Sequence, residues 1–209
     1  MGNQEHHKTG KRTSERILET IDCLPKDEVT VSDVLALIGR EGLLSVCILL
    51  TLPFMVPVSI PGVSTAFGAA ILVLGIALLR KKPPVLPARL GARRLPSEKL
   101  AAAMRGGVKA LVRVEKIAKP RLAILVTGPG ASRVSGLGLV LGALLLMAPF
   151  GFVPFSNTLP GLAVLLLALG ILETDGVCVL LGHIVNLLTI VYFAILIAGA
   201  VAAGKTLFA

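Results

Sequence analysis

The chain has no tryptophan, one tyrosine (Tyr192) and seven phenylalanines in 209 residues. So few rings leave no conventional aromatic belt, and helix ends in a membrane would have to be placed by charge instead. Three cysteines, Cys23, Cys47 and Cys178, form no CxxC pair and no even framework, which argues against a disulfide scaffold or structural zinc. Of the three histidines, His6 and His7 lie in the polar start and His183 lies in an apolar run. No Ser-His-Asp arrangement or metal-ligand cluster is legible. No catalytic residue, metal or cofactor is therefore expected, and the chain reads as a non-enzyme. Ionisable side chains are the most telling omission: Asp, Glu, Lys and Arg are missing from 42–79, 134–172 and 176–204. Each stretch exceeds the roughly 20 residues that one membrane-spanning helix needs.

What is present fits a membrane class. The sequence is 55% hydrophobic, with mean hydropathy +0.87, too apolar for a soluble domain. No cleaved signal peptide is expected, since the first apolar run begins late. Charge is uneven: residues 1–41 are slightly acidic, whereas 80–133 hold fourteen Lys and Arg against two Asp and Glu, an excess larger than the overall +9. A basic segment between apolar runs reads as cytoplasmic. It has no aromatic residue to stack on bases, so anionic lipid headgroups are the expected partner and nucleic acid is not.

The apolar runs are interrupted twice in similar fashion. Thr51 to Ala66, TLPFMVPVSIPGVSTA, and Ala148 to Ala163, APFGFVPFSNTLPGLA, each read as apolar helix, Pro-Phe, short irregular segment, then Pro-Gly opening a second apolar helix. Paired broken helices mark internally duplicated membrane proteins, and inverted repeats of this kind often bind substrate at the breaks. The arms, Leu43–Leu52 and Val63–Leu79, are short for two full spans. A re-entrant hairpin suits them, with a pair of tilted helices turning at the far surface as the alternative.

The fold class is thus an all-α integral membrane protein: two related broken or re-entrant hairpins, an interfacial amphipathic helix and a C-terminal spanning helix. The divisions are a polar region (1–31), a first repeat (32–82), a basic interfacial segment (83–133), a second repeat (134–176) and a terminal helix (177–209). Residues 1–12 are expected to be disordered, and Thr13–Leu24 to be a short amphipathic helix. Ser32 is expected to cap a helix from Asp33. Ser97–Lys119 has an apolar stripe of Leu100, Met104, Val108 and Leu111 beside a basic one of Arg105, Lys109, Arg113 and Lys116, as on a helix lying on a membrane surface. Thr127-Gly128-Pro129-Gly130 reads as a turn. Short segments and re-entrant backbone need cover, so a homodimer is expected.

The order of signals resembles the bacterial exopolysaccharide synthesis ExoD family. The residues carrying the resemblance are Arg40-Glu41-Gly42, Leu52-Pro53, Pro61-Gly62-Val63-Ser64, Asn157-Thr158-Leu159-Pro160-Gly161 and Leu169-Gly170-Ile171-Leu172-Glu173-Thr174-Asp175-Gly176. It covers roughly residues 30 to 200. Arg-Glu-Gly departs from the Arg-Gly of the family pattern, which leaves the role of Glu41 open. The resemblance implies a multi-pass protein of the bacterial inner membrane linked to exopolysaccharide production. More locally, Ile60-Pro61-Gly62-Val63-Ser64 is similar to the Pro-Gly-Val-Ser motif of a polyprenyl-phosphate translocase family, without its following Gly-Gly.

The breaks are the candidate site. A helix that starts at Pro-Gly offers open N–H donors, and such an N-terminus attracts anions. Pro61, Gly62, Ser64 and Thr65 would face Asn157, Thr158, Pro160 and Gly161 around a lipid phosphate. Arg40, with Arg80 and Arg133, would supply full charge. The bland reading is that Pro-Gly marks helix starts and that Arg40 pairs with Glu41 at the interface. Glu41, Glu173, Asp175 and His183 are candidates for charge or proton coupling, Glu173 and Asp175 otherwise forming a solvated helix end. The expected function is exopolysaccharide synthesis or export through an anionic lipid carrier such as polyprenyl phosphate. The alternatives are a non-transporting scaffold of polysaccharide machinery and a small-ion or proton-linked transporter.

Overall fold

A computed structural model describes residues 28–30, 39–55, 63–84, 94–96, 120–150 and 153–207, with isolated positions between them. The expected disordered start (1–12), the helix Thr13–Leu24 beyond its helical positions Glu15, Leu18 and Glu19, the Ser32 cap, and Pro61-Gly62 lie outside the described residues. So does most of Ser97–Lys119, in which Arg105, Gly106, Val108 and Val112 are helical, Val108 is buried and Arg105 is exposed.

Five helices carry the fold: α1 (Gly39–Thr51), α2 (Val63–Arg80), α3 (Pro129–Leu146), α4 (Thr158–Leu172) and α5 (Gly176–Leu207). A 3-10 turn, Leu52–Met55, follows α1, and another, Ala123–Leu125, precedes α3. Leucine, alanine and valine fill these segments, and straight-chain or small residues lose little on entering a helix. Among the described residues two helices are long and apolar enough to cross a membrane by length and composition, Pro129–Leu146 and Gly176–Gly204, and Ser64–Arg80 and Thr158–Leu172 are shorter apolar helices.

The all-helical expectation has one exception. Strand β1 (Glu28–Thr30) pairs antiparallel with β2 (Arg94–Pro96), Val29 opposite Leu95. This ladder ties the acidic start to the basic middle. Beyond it, the Thr30 hydroxyl accepts a hydrogen bond from Asp33 N at 3.2 Å, so Thr30 is a capping residue for the turn containing Asp33.

Close approaches at glycine fix the helix directions. A Cβ on Gly68 would lie 2.5 Å from Met147 Cγ, one on Gly75 would lie 3.3 Å from Val140 Cγ2, and one on Gly136 would lie 2.6 Å from Leu79 Cδ2. Helices α2 and α3 are therefore antiparallel and tightly packed. Gly138 meets His183 and Gly142 meets Asn186, so α3 and α5 run parallel, while Gly170 meets Val179 across antiparallel α4 and α5. Helix α1 packs on α4. The core runs through all five helices, with Leu44, Ile48, Ile71, Leu139, Leu146, Val164 and Leu167 almost wholly buried.

Both hairpins thus point the same way. The starts of α1 and α3 and the ends of α2 and α4 share one end of the bundle, the basic end, and both breaks lie at the other. The expectation of an inverted relation is corrected: the two hairpins are parallel. The hairpins even close alike. Lys82 N donates to Ala77 O at 3.2 Å after a left-handed Lys81 (φ 52°), and Asp175 N donates to Gly170 O at 2.8 Å after a left-handed Thr174 (φ 55°). These are Schellman closures with non-glycine residues in the position that glycine usually takes.

Two element boundaries also differ from expectation. The Thr127–Gly130 turn is a helix start, with Gly128 (φ 105°) before Pro129. Proline at the first helical position loses no hydrogen bond, so α3 begins five residues before Val134. Helix α4 starts at Thr158, ahead of Pro160, with Asn157 at the N-cap position but making no side-chain cap hydrogen bond.

Candidate functional site

The described edges of the two breaks lie together. A Cβ on Gly161, in the second break, would lie 3.0 Å from Phe54 Cβ and 3.3 Å from Met55 Cε, both in the first. Phe54 and Phe67 contact edge to face with centroids 5.9 Å apart, and Phe150 and Phe193 lie 4.7 Å apart. Of eight aromatic residues, those described all gather here, including Tyr192, whose hydroxyl donates to Pro154 O at 2.7 Å. Ser64 and Asn157 are buried, Thr158 is half-buried and Thr65 is exposed.

The chemistry at the second break is closed. Leu159 N donates to Phe155 O at 3.0 Å, Pro160 has no N–H, and Gly161 N donates to Asn157 O at 3.0 Å. Ser156 Oγ donates to the carbonyls of Phe150 and Val153 at 2.7 and 2.8 Å. Phe54 occupies the space beside Gly161 through which a phosphate would approach. At the second break the amides of Leu159 and Gly161 are thus bonded within the turn, and Gly161 is a packing glycine.

Arg40 is not at the breaks. It lies at the start of α1, 13 residues long or about 20 Å from its broken end. Arg80 and Arg133 also lie toward the basic end and are exposed. The charge expected to converge on the breaks is therefore at the opposite end, because each hairpin begins and ends there.

At that end two adjoining cavities share Arg40, Lys81 and Ser132. One, of about 400 Å³, has an apolar floor of Leu35, Leu43, Ala77 and Leu78 and a rim that includes Lys82. The other, of about 450 Å³, is bounded by Thr127, Gly128, Pro129 and Thr174 at the start of α3 and the end of α4. No acidic side chain lines either among the described residues. The start of α3 has no side-chain cap, and a Cβ at Gly130 would meet nothing within 4 Å. Uncapped N–H groups, the positive end of an 18-residue helix and two cationic side chains on neighbouring helices favour an anion. The signal in the sequence was Gly-Pro-Gly ahead of an apolar run, a proline-first helix start.

Asp175 has a structural role. Its Oδ1 accepts from Val177 N at 3.0 Å and Cys178 N at 3.4 Å, capping α5, and the residue is buried. Gly176 N donates to Arg121 O at 2.7 Å, and a Cβ at Gly176 would strike the Leu122 carbonyl oxygen. The basic segment is thereby docked on the α4–α5 turn. Glu173 follows the last residue of α4 and is half-buried, as is Glu41 in the first turn of α1. His183 lies against Gly138, about two turns along α5 from Asp175.

The comparisons with known proteins agree on kinship. The family model described as exopolysaccharide synthesis, ExoD, matches residues 14–195. Protein ExoD of Rhizobium meliloti (strain 1021) is 42% identical over 194 residues, covering 93% of this chain and 81% of that protein. An uncharacterized protein of Synechocystis (slr1875) is 28% identical over 161 residues, covering 77% of this chain and 74% of its own. No solved structure matches. With nearly the whole chain matched by the family model, this protein belongs to the ExoD family of exopolysaccharide synthesis.

Proposed function

We propose that this chain serves exopolysaccharide synthesis from the bacterial inner membrane, as a non-catalytic protein that binds the phosphate of an anionic lipid carrier such as polyprenyl phosphate. The headgroup site is the pair of cavities at the basic end, and not the breaks. One observation carries this reading: Arg40, Lys81 and the uncapped start of α3 face the same space above an apolar floor. A lipid phosphate has that same polarity, a charged head on an apolar chain.

The topology in this reading has the basic end on the cytoplasmic side, following the excess of Lys and Arg there. Helix lengths support re-entrant hairpins. Helices α1 to α4 have 13, 18, 18 and 15 residues, about 20 to 27 Å, against 29 residues and about 44 Å for the apolar run of α5. The breaks are level with Tyr192, after which α5 continues apolar to Gly204. A homodimer belongs to the same proposal, a second copy covering the exposed flank of α5 that includes Ile195, Ile197 and Val201.

The test uses the full chain in nanodiscs, with polyprenyl phosphate and the matching polyprenol as probes, followed by native mass spectrometry. Arg40→Gln with Lys81→Gly is expected to weaken the phosphate lipid by about tenfold or more, since hydrogen bonds to charged groups contribute about 1.5–3 kcal/mol each. Ser64→Ala with Asn157→Ala should leave binding unchanged. Equal retention of polyprenol and its phosphate would sink the reading. A scaffold, by contrast, would lose partner proteins and not lipid when Arg105 and its basic neighbours are neutralised.

A further inference from the structure

Between α3 and α5 lies a row of polar atoms that the headgroup site does not use. Ser135 Oγ, His183 Nε2 and Asn186 Oδ1 are enclosed and have no hydrogen-bond partner. Ser135 is 1% exposed and Asn186 2%. Both sit in a helix pair whose surroundings are leucine, valine and alanine.

The register places them close together. Asn186 Nδ2 donates to Gly138 O at 2.9 Å. A Cβ on Gly138 would lie 2.6 Å from His183 Cε1, and one on Gly142 would lie 3.2 Å from Asn186 Oδ1. His183 and Asn186 are one turn apart on α5, as Gly138 and Gly142 are on α3. Ser135 precedes Gly138 by a turn on the same side of α3. The three orphaned atoms therefore stand at successive levels of one seam. Helix α4 closes it, with Leu167 Cδ1 and Val164 Cγ2 within 3.1 and 2.7 Å of the same two glycine positions.

Size and chemistry select the occupant. A Cβ at Gly138 or Gly142 would already clash, so the seam has no room for a lipid chain, a sugar or a phosphate. One imidazole and two neutral oxygens make a poor set for a transition metal, and no group of three His, Cys, Asp or Glu occurs among the described residues. Water satisfies every requirement. It can donate to Asn186 Oδ1, exchange a hydrogen bond in either sense with the Ser135 hydroxyl, and either donate to or accept from the His183 ring nitrogen. Enclosed apolar spaces stay dry, whereas polar ones with two to four partners hold water.

We propose that Ser135, His183 and Asn186 bind internal water, making the α3–α5 seam a hydrated thread inside the apolar bundle. The thread is independent of the headgroup site, and its test does not involve lipid binding. The full chain, isotopically labelled and carrying His6→Gln and His7→Gln so that His183 alone reports, is reconstituted in liposomes containing phosphatidylglycerol. Water-edited solid-state NMR then follows transfer of polarisation from water to side chains. The His183 ring and Ser135 Cβ are expected to receive it several times faster than the methyl groups of Leu167 and Val164. In Ser135→Ala, a change that removes one atom, the His183 build-up should slow. A His183 ring in the parent protein that fills no faster than Leu167 would overturn the proposal, whatever the variant does.

Discussion

At the broken end, Ser156 gives its hydroxyl to two carbonyls, Leu159 and Gly161 spend their amides within the turn, and Phe54 fills the space beside Gly161. At the basic end, Gly128 starts α3 with no side-chain cap, and Lys81 and Thr174 are held left-handed beside open cavities. The bundle thus has one end where the described polar groups of the second break are satisfied and packed, and another with cations left toward solvent. Buried backbone groups must find partners, so a break surrounded by apolar helices has to close on itself. A binding site for an anion needs the opposite condition, which among the described residues is found at the basic end.

The contrast can be broken most severely at Gly176. Gly176→Ala drives a methyl into the Leu122 carbonyl, and backbone on both sides limits relief. A loss of about 3 kcal/mol, the upper range for overpacking, is expected in detergent unfolding followed by circular dichroism. A smaller loss tests the α5 cap. Asp175→Ala removes the acceptor for Val177 and Cys178 and should cost about 1–2 kcal/mol. Were flux or binding to change with no loss of stability, Asp175 would be a coupling residue and not a cap.

Smaller still is the expected effect at the broken end. Tyr192→Phe deletes the bond to Pro154 O and should cost about 1 kcal/mol while leaving phosphate-lipid binding intact. Lys81→Gly sharpens the comparison most, because stability and binding should move in opposite directions. Glycine relieves the left-handed backbone and should stabilise by up to about 1 kcal/mol, yet the variant loses a cavity cation. Parallel loss of both would make Lys81 structural.

Much of the fold was legible because charge and proline are punctuation in an apolar chain. Val63–Arg80 was bounded by Pro-Gly before it and Arg80-Lys81-Lys82 after it, and the structure keeps those limits. The sharing out of polar groups was not legible. Whether Leu159 and Gly161 present their amides outward or bond them to Phe155 and Asn157 depends on the turn that Val153–Asn157 adopts, including a left-handed Phe155 (φ 61°), and no local propensity announces that. Arg40 was assigned to the breaks by charge logic alone, without the helix direction that separates them. The β1–β2 pairing joins segments more than sixty residues apart, and three residues per strand leave too short a pattern to read.

The overhang of α5 has a consequence for the surrounding lipid. From Ala194 to Ala203 every residue is exposed or partly so, and the four hairpin helices have already turned back. Seated in a bilayer with its basic end inward, the protein would present a broad five-helix footprint to one leaflet and a single rod to the other. Lipids in the second leaflet would lie across the turned hairpins, over the aromatic rings of Phe54, Phe67, Phe150 and Phe193. On the topology proposed above, that unequal cross-section would crowd one leaflet more than the other.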